Sequence, residues 1–298
     1  MAGKENFAED KKIKVTQAKG FELSKLDTNY TGNYKGEKEA ERKLHEDIDE
    51  LSELQEKLFA SDNHSVLIIF QAMDGAGKDS TIKHVLRGIN PQGCNVTSFK
   101  RPSDKELSHD FLWRTNMALP ERGMIGIFNR SYYEEVLIVK VHPEIILGQS
   151  LPEANNLKQI DEKFWQKRYR SIADMEQHLA DNGYIIMKFF LNVSKDEQKD
   201  RFLDRINTPE KQWKFQYADM KERDYWETYM KAYEKAIQET STEKSPWYVI
   251  PADNKWFMRT AVCDIILSTL KKLNLKFPEP STEEQSKLEE AKHILINN

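Results

Sequence analysis

Residues 65–73 (SVLIIFQAM) run directly into Asp74-Gly75-Ala76-Gly77-Lys78-Asp79-Ser80-Thr81, and a helical pattern (TIKHVL) runs out. An unbroken apolar, β-branched run suits a strand buried on both faces, which is the situation of a strand inside a parallel sheet. Two glycines between that strand and a helix let successive backbone N–H groups converge on an anion, while the helix N-terminus adds its positive dipole end. The segment therefore constrains the chain to an α/β architecture with a phosphate cradle at one strand end.

The rest of the chain repeats the alternation. Leu44, Ile48, Leu51, Leu54 and Leu58 recur at spacings of three and four, which predicts a helix over 37–59. A second helix is expected over 78–89, ending before Asn90-Pro91. Further strands read at 96–99, 124–128, 185–191 and 247–250, each followed by a helical stretch. This order predicts a mostly parallel sheet with helices on both faces. Residues 1–36 read as an irregular arm, 37–276 as the main domain and 277–298 as a short peripheral helix. No internal repeat is present.

The loop departs from the usual G-x-x-x-x-G-K-[ST] pattern at two positions. Ala72 replaces the first glycine, and Asp79 stands where a hydroxyl normally meets Mg²⁺. Lys78 is expected to reach terminal phosphates as a point charge, with backbone groups of Gly75, Ala76, Gly77, Asp79 and Ser80 around them. Hard Mg²⁺ takes one or two carboxylates plus phosphate oxygens, so Asp74 is the candidate metal ligand; Asp79 is either a second carboxylate or a stabiliser of the helix N-terminus.

The strand over 124–128 ends in Asn129-Arg130-Ser131-Tyr132-Tyr133-Glu134-Glu135. Residues at the carboxyl end of a parallel strand face the ligand crevice. Arg130 supplies a planar fork for phosphate oxygens, or else pairs with Glu134 or Glu135. Asn129, Tyr132, Tyr133 and Glu134 are expected to line a nucleotide pocket. Farther on, Arg201 and Arg205 share a helix face beginning near Ser194, and Pro209 breaks that helix before the basic, aromatic run containing Lys214. Residues 195–235 thus read as a helical lid whose cations meet phosphate on closure. Trp226, Tyr229 and Tyr233 lie at helical spacing and read as packing.

Composition narrows the field. A formal charge of −4 argues against general nucleic-acid binding, so a polyanion would need local cations. From Lys78 to Arg101 there are five Lys or Arg (78, 83, 87, 100, 101) against Asp79, a local net of +4, and Lys100 and Arg101 follow a strand. The polar start of the chain has no apolar core of a signal peptide, and no run is long enough to cross a bilayer. The two cysteines, Cys94 and Cys263, read as reduced core residues. The expected location is cytoplasmic, with no membrane partner, and a homo-oligomer is expected.

The pieces QAMDGAGKDSTIKHV, FNRSYYEEVLIVKVHPE, KFFLNVSKDEQKDRF, NTPEKQWKF and TSTEKSPWYVIPADNKWF together resemble the family 2 polyphosphate kinases, from about Val66 to Leu275. The FNRS form, with Asn where other branches carry Asp, is similar to the class III branch. The resemblance implies a P-loop kinase fold with a thymidylate-kinase-like core, a parallel sheet flanked by helices and a helical lid. It also implies phosphoryl transfer from inorganic polyphosphate to AMP and ADP, giving ADP and ATP, with Mg²⁺ or Mn²⁺. By position, Asp74, Lys78 and Arg130 would carry the family's loop aspartate, loop lysine and strand-end arginine. The acceptor is a phosphate oxygen ionised at neutral pH, so no strong base is required; His84 and His142 read as structural. An ATP-dependent nucleoside monophosphate kinase is the alternative, though it would be expected to keep Ser or Thr after Lys78.

Overall fold

The computed structural model describes residues 6–16 and 19–297. Its sheet has six strands: β1 (Lys14–Val15), β2 (Ser65–Gln71), β3 (Cys94–Ser98), β4 (Ile125–Asn129), β5 (Tyr184–Asn192) and β6 (Trp247–Pro251), in the order β1-β6-β5-β2-β4-β3. All neighbours are parallel except β1 with β6. The seven longer helices among the described residues are α1 (Glu37–Ser61), α2 (Lys78–Val85), α3 (Glu162–Asp181), α4 (Lys195–Asn207), α5 (Trp226–Thr240), α6 (Lys255–Lys271) and α7 (Thr282–Asn297).

Every residue of β2 is buried, as its apolar run requires. β2 lies between β4 and β5, with Phe70 opposite both Asn129 and Phe189. That register brings the glycine loop after β2 beside the Asn129-Arg130 turn after β4. α1 and α2 pack on α6, while α3 packs on α5 and β5. The apolar stripe of α1 is buried through Leu44, Ile48, Leu51 and Leu58.

Several expectations shift in detail. The N-terminal arm is part of the core: Val15 pairs with Trp247, Phe7 meets the Phe257 ring edge-on at 5.3 Å, and the Phe7 N–H donates to Asp264 Oδ2 at 3.0 Å. A two-residue strand carries too little pattern to be read locally. Residues 1–5 of that arm lie outside the described residues. Cys94, expected in the core, is half-buried on edge strand β3, whereas Cys263 is fully buried. The tail helix α7 buries none of its side chains. Among the described residues no helix is long and apolar enough to cross a membrane.

Candidate phosphate-transfer site

The loop after β2 turns through Gly75 and Gly77, whose φ values of +85° and +106° suit only glycine. A Cβ on Gly75 would also approach Phe202 Cε1 to 3.0 Å, so α4 closes directly on the loop. The Ala76 N–H, expected to face phosphate, instead donates to the Met73 carbonyl at 3.2 Å and closes the turn. The N–H groups of Lys78, Asp79 and Ser80 occupy the first turn of α2, where a helix has no acceptors of its own.

Three charged side chains converge at the mouth. Arg130 Nη2 donates to Asp74 Oδ1 at 2.6 Å, and Lys78 Nζ lies 3.8 Å from the same oxygen. Lys78 is nearly buried and donates to the Ala72 carbonyl at 2.8 Å. Burial would push the Asp74 carboxyl up, but Lys78 and Arg130 outweigh it and hold it below the usual range. Burial lowers the Lys78 ammonium from its ordinary value, with Asp74 opposing. Glu134, chiefly, raises the Arg130 guanidinium. Asp74 is therefore ionised between two cations, which is the charge arrangement an incoming phosphate would compete for.

Arg130 has a left-handed backbone (φ +65°), a conformation costing about 1–2 kcal/mol outside glycine. Its surroundings impose it. Its N–H donates to the Phe70 carbonyl at 3.0 Å, and its Nη1 meets Glu134 Oε2 at 3.4 Å. Glu134, expected against a nucleotide, is also held by Gln71 Nε2 at 2.8 Å, so its work here is to position Arg130.

Tyr132 and Tyr133, also expected in the nucleotide pocket, are not there. Both rings are buried, and both hydroxyls donate to Glu176 Oε1, at 2.8 and 2.7 Å. Glu176 in turn takes Lys188 Nζ at 2.5 Å, with both side chains 0% exposed. Aromatic residues beside a strand end carry no local mark of whether they face a ligand or the core.

The two departures from the usual loop and strand-end patterns meet each other. Asn129 Nδ2 donates to Asp79 Oδ1 at 2.6 Å. Ser131, not Asn129, caps the following turn by accepting from the Tyr133 N–H. The carboxylate thus sits on the loop side and the amide on the strand side of one hydrogen bond.

Arg201 is a correction. It is buried beneath the loop, with Nη1 on the Ala76 carbonyl (2.6 Å), Nη2 on the Ala252 carbonyl (2.5 Å) and Nε on Glu197 (2.7 Å). Its donors brace loop backbone against the end of β6, leaving no fork for phosphate. Arg205, one turn on, is half-buried and close enough to lower Asp74 electrostatically. Lys214 is exposed over the Trp213 ring at 5.1 Å, and Lys100 and Arg101 are exposed beyond β3. His84 and His142 bond the Ser80 carbonyl (2.7 Å) and Glu222 (2.9 Å), consistent with structural roles.

Residues the sequence did not mark also reach the site. Gln198 Nε2 donates to the Asp74 carbonyl at 2.6 Å, and Arg259 Nη2 to Ser80 Oγ at 2.9 Å. Asp219, on the segment overhanging the loop, has its carboxyl raised by burial and by Asp74. Only the spacing of Arg259 from the end of β6 could have suggested it; Asp219 lies in a short helix, Tyr217–Glu222, whose sequence carries no such signal.

A parallel sheet whose central strand feeds a glycine loop, with lysine, arginine and aspartate at its mouth, defines a P-loop phosphotransferase. The chain matches the Polyphosphate kinase 2 family over residues 34–278 and belongs to it. It is 51% identical to an ADP-polyphosphate phosphotransferase of Rhodopseudomonas palustris, covering 96% of this chain and 98% of that one. Against an AMP/ADP-polyphosphate phosphotransferase of Meiothermus ruber the identity is 44%, covering 91% and 97%. The crystal structure of polyphosphate kinase 2 from Arthrobacter aurescens superposes with a TM-score of 0.85 at 39% identity, covering 96% and 97% of the two chains.

Proposed function

We propose that this protein transfers phosphoryl groups reversibly between inorganic polyphosphate and AMP or ADP. The observation that carries the reading is the junction of Asp74, Lys78 and Arg130 at a loop bearing Asp79 instead of a hydroxyl. Two cations that share one carboxylate can exchange it for the oxygens of a transferred phosphoryl group. Their preorganised charge stabilises the transition state and holds donor and acceptor in line. Phosphate acceptors arrive ionised, so the site needs no general base. The names of the Rhodopseudomonas and Meiothermus relatives support both acceptors.

Among the described residues no cluster of three or more His, Cys, Asp or Glu side chains forms a protein-only metal cage. Asp74 and Asp79 do fit a Mg²⁺ or Mn²⁺ that takes its other ligands from phosphate and water. When bound, the ion would neutralise phosphate charge, with Asp74 the principal protein ligand. Residues 195–235 act as the lid: Arg201 anchors α4, Arg205 reaches phosphate by its side chain from that anchored helix, and the segment carrying Lys214 closes over the site. We assign the protein to the cytoplasm as a homo-oligomer, with exposed Leu288 and Leu295 of α7 offering contact surface.

The test is ADP plus polyphosphate with luciferase detection of ATP, run in parallel with AMP. ATP formation from ADP is the expected result. Silence with polyphosphate, together with phosphorylation of AMP by ATP, would establish the nucleoside monophosphate kinase instead.

A further inference from the structure

Gln198 is a buried amide in the first turn of α4, and it joins two groups of opposite hydrogen-bonding character. Its Nε2 donates to the Asp74 backbone carbonyl at 2.6 Å, and its Oε1 accepts from Arg223 Nη1 at 2.5 Å. A carbonyl only accepts and a guanidinium only donates, so both ends of the amide are engaged and its orientation is fixed. A carboxylate in its place could serve Arg223 alone, and an apolar side chain neither partner. The loop also packs directly on it: a Cβ on Gly75 would meet Gln198 Cγ at 3.2 Å.

Gln198 holds the backbone of the residue whose side chain organises the junction. Asp74 Oδ1 meets Arg130 at 2.6 Å and Lys78 at 3.8 Å, while the Asp74 carbonyl is anchored on Gln198. Turning that peptide plane would move the glycine loop relative to the carboxylate. Arg223, at the other end of the amide, follows the short helix Tyr217–Glu222 that carries Asp219 over the loop. Arg223 also donates to the Lys195 carbonyl at 3.0 Å, and its neighbour Glu222 meets His142 Nε2 at 2.9 Å and the Tyr229 hydroxyl at 2.6 Å. The far end of the lid is thereby pinned at Glu222 and Arg223, against the same helix that braces the loop.

We infer that Gln198 is a positioning residue that ties the lid to the phosphate loop. With Arg223 seated, its amide holds the Asp74 carbonyl and so sets the Asp74 carboxylate between Lys78 and Arg130. The inference rests on the phosphotransfer reading of that junction and adds a condition to it: the junction is assembled when the end of the lid is docked. Gln198 lies beneath the loop and acts on the reaction through Asp74, so its effect belongs in kcat and not in KM.

The test uses the full chain with ADP and polyphosphate, and thermal melts verify that each variant is folded. Gln198→Met fills the same volume without the amide; kcat should fall roughly ten- to a hundredfold, the cost of a displaced reacting group. KM for ADP and for polyphosphate should stay within about twofold. Gln198→Glu keeps an acceptor for Arg223 but offers the Asp74 carbonyl no donor, so its kcat should be as low. Arg223→Met should lower kcat in the same way, and Arg223→Lys, which can still donate to Oε1, should recover part of the loss. Because both residues act through one amide, adding Arg223→Met to Gln198→Met should cost less than about a further twofold. Arg223 is half-buried at the surface, so its two variants carry the test if Gln198→Met does not fold. A kcat within about twofold of wild type in Gln198→Met or Arg223→Met would overturn the inference. So would a loss expressed in KM alone, or losses that multiply in the double variant. A wild-type chain that makes no ATP from polyphosphate would instead remove the functional reading, and this inference with it.

Discussion

Exchanging Glu176 for glutamine would strand the Lys188 ammonium in a site without water. Both side chains are 0% exposed. Nζ has only the Tyr133 hydroxyl (3.1 Å) and the Thr240 carbonyl (2.8 Å) besides the carboxylate. Removing one partner of a buried pair costs about 3–5 kcal/mol, against a total stability of about 5–15 kcal/mol. Adding Lys188→Met removes the stranded charge while the introduced amide still accepts from the tyrosines, so the double variant should regain about 2–3 kcal/mol. The pH dependence has a definite sign. Burial already holds the Lys188 ammonium below the ordinary lysine range, and losing the carboxylate lowers it further. An unfolded lysine keeps its proton up to about pH 10.4, so over the intervening window the unfolded state binds more protons and stability rises with pH. The deficit of Glu176→Gln should therefore be smaller near pH 9 than near pH 6. Urea unfolding of the wild type and variants at both values measures it. A deficit below about 1 kcal/mol at both, or no recovery in the double variant, would refute the buried pair as described.

Lys78→Ala should retain the fold but lose at least about a hundredfold in kcat, because the ammonium is aimed into the loop mouth; near-normal turnover would defeat the loop assignment. Asp74→Asn should lose activity that added Mg²⁺ or Mn²⁺ restores only slightly, since Arg130 loses its 2.6 Å partner as well. The Asp74 carboxyl is held low, so its contribution to stability is present above the unfolded value of about 3.9 and lost as pH falls through the folded one. Acid unfolding of the variant should accordingly be shallower at the low-pH end. Asn129→Asp should lower kcat/KM for AMP more than for ADP, because it sets a second carboxylate against Asp79 across a 2.6 Å contact. Asp79→Asn added to it should restore much of the loss; equal losses for both acceptors, without rescue, would leave no role in acceptor choice.

Local pattern was enough for the strand–loop–helix unit and for most of the framework. An apolar β-branched run, a three-and-four spacing and paired glycines each dictate their own structure within a few residues. The lysine, arginine and aspartate of the junction were legible because their positions at strand ends force them toward one crevice. The family-wide resemblance added the donor and acceptor that no spacing could name. What tertiary structure decided were the partners. Arg201 reads as a free lid cation until the fold brings the Ala76 carbonyl, 125 positions away, against it. Tyr132 and Tyr133 read as pocket residues until α3 supplies Glu176. Asp79 and Asn129, two separate oddities along the chain, become one hydrogen bond between the first turn of α2 and the end of β4. Periodicity records which face of an element is buried; whether a charge on it meets a ligand or another part of the chain depends on packing between segments far apart in sequence.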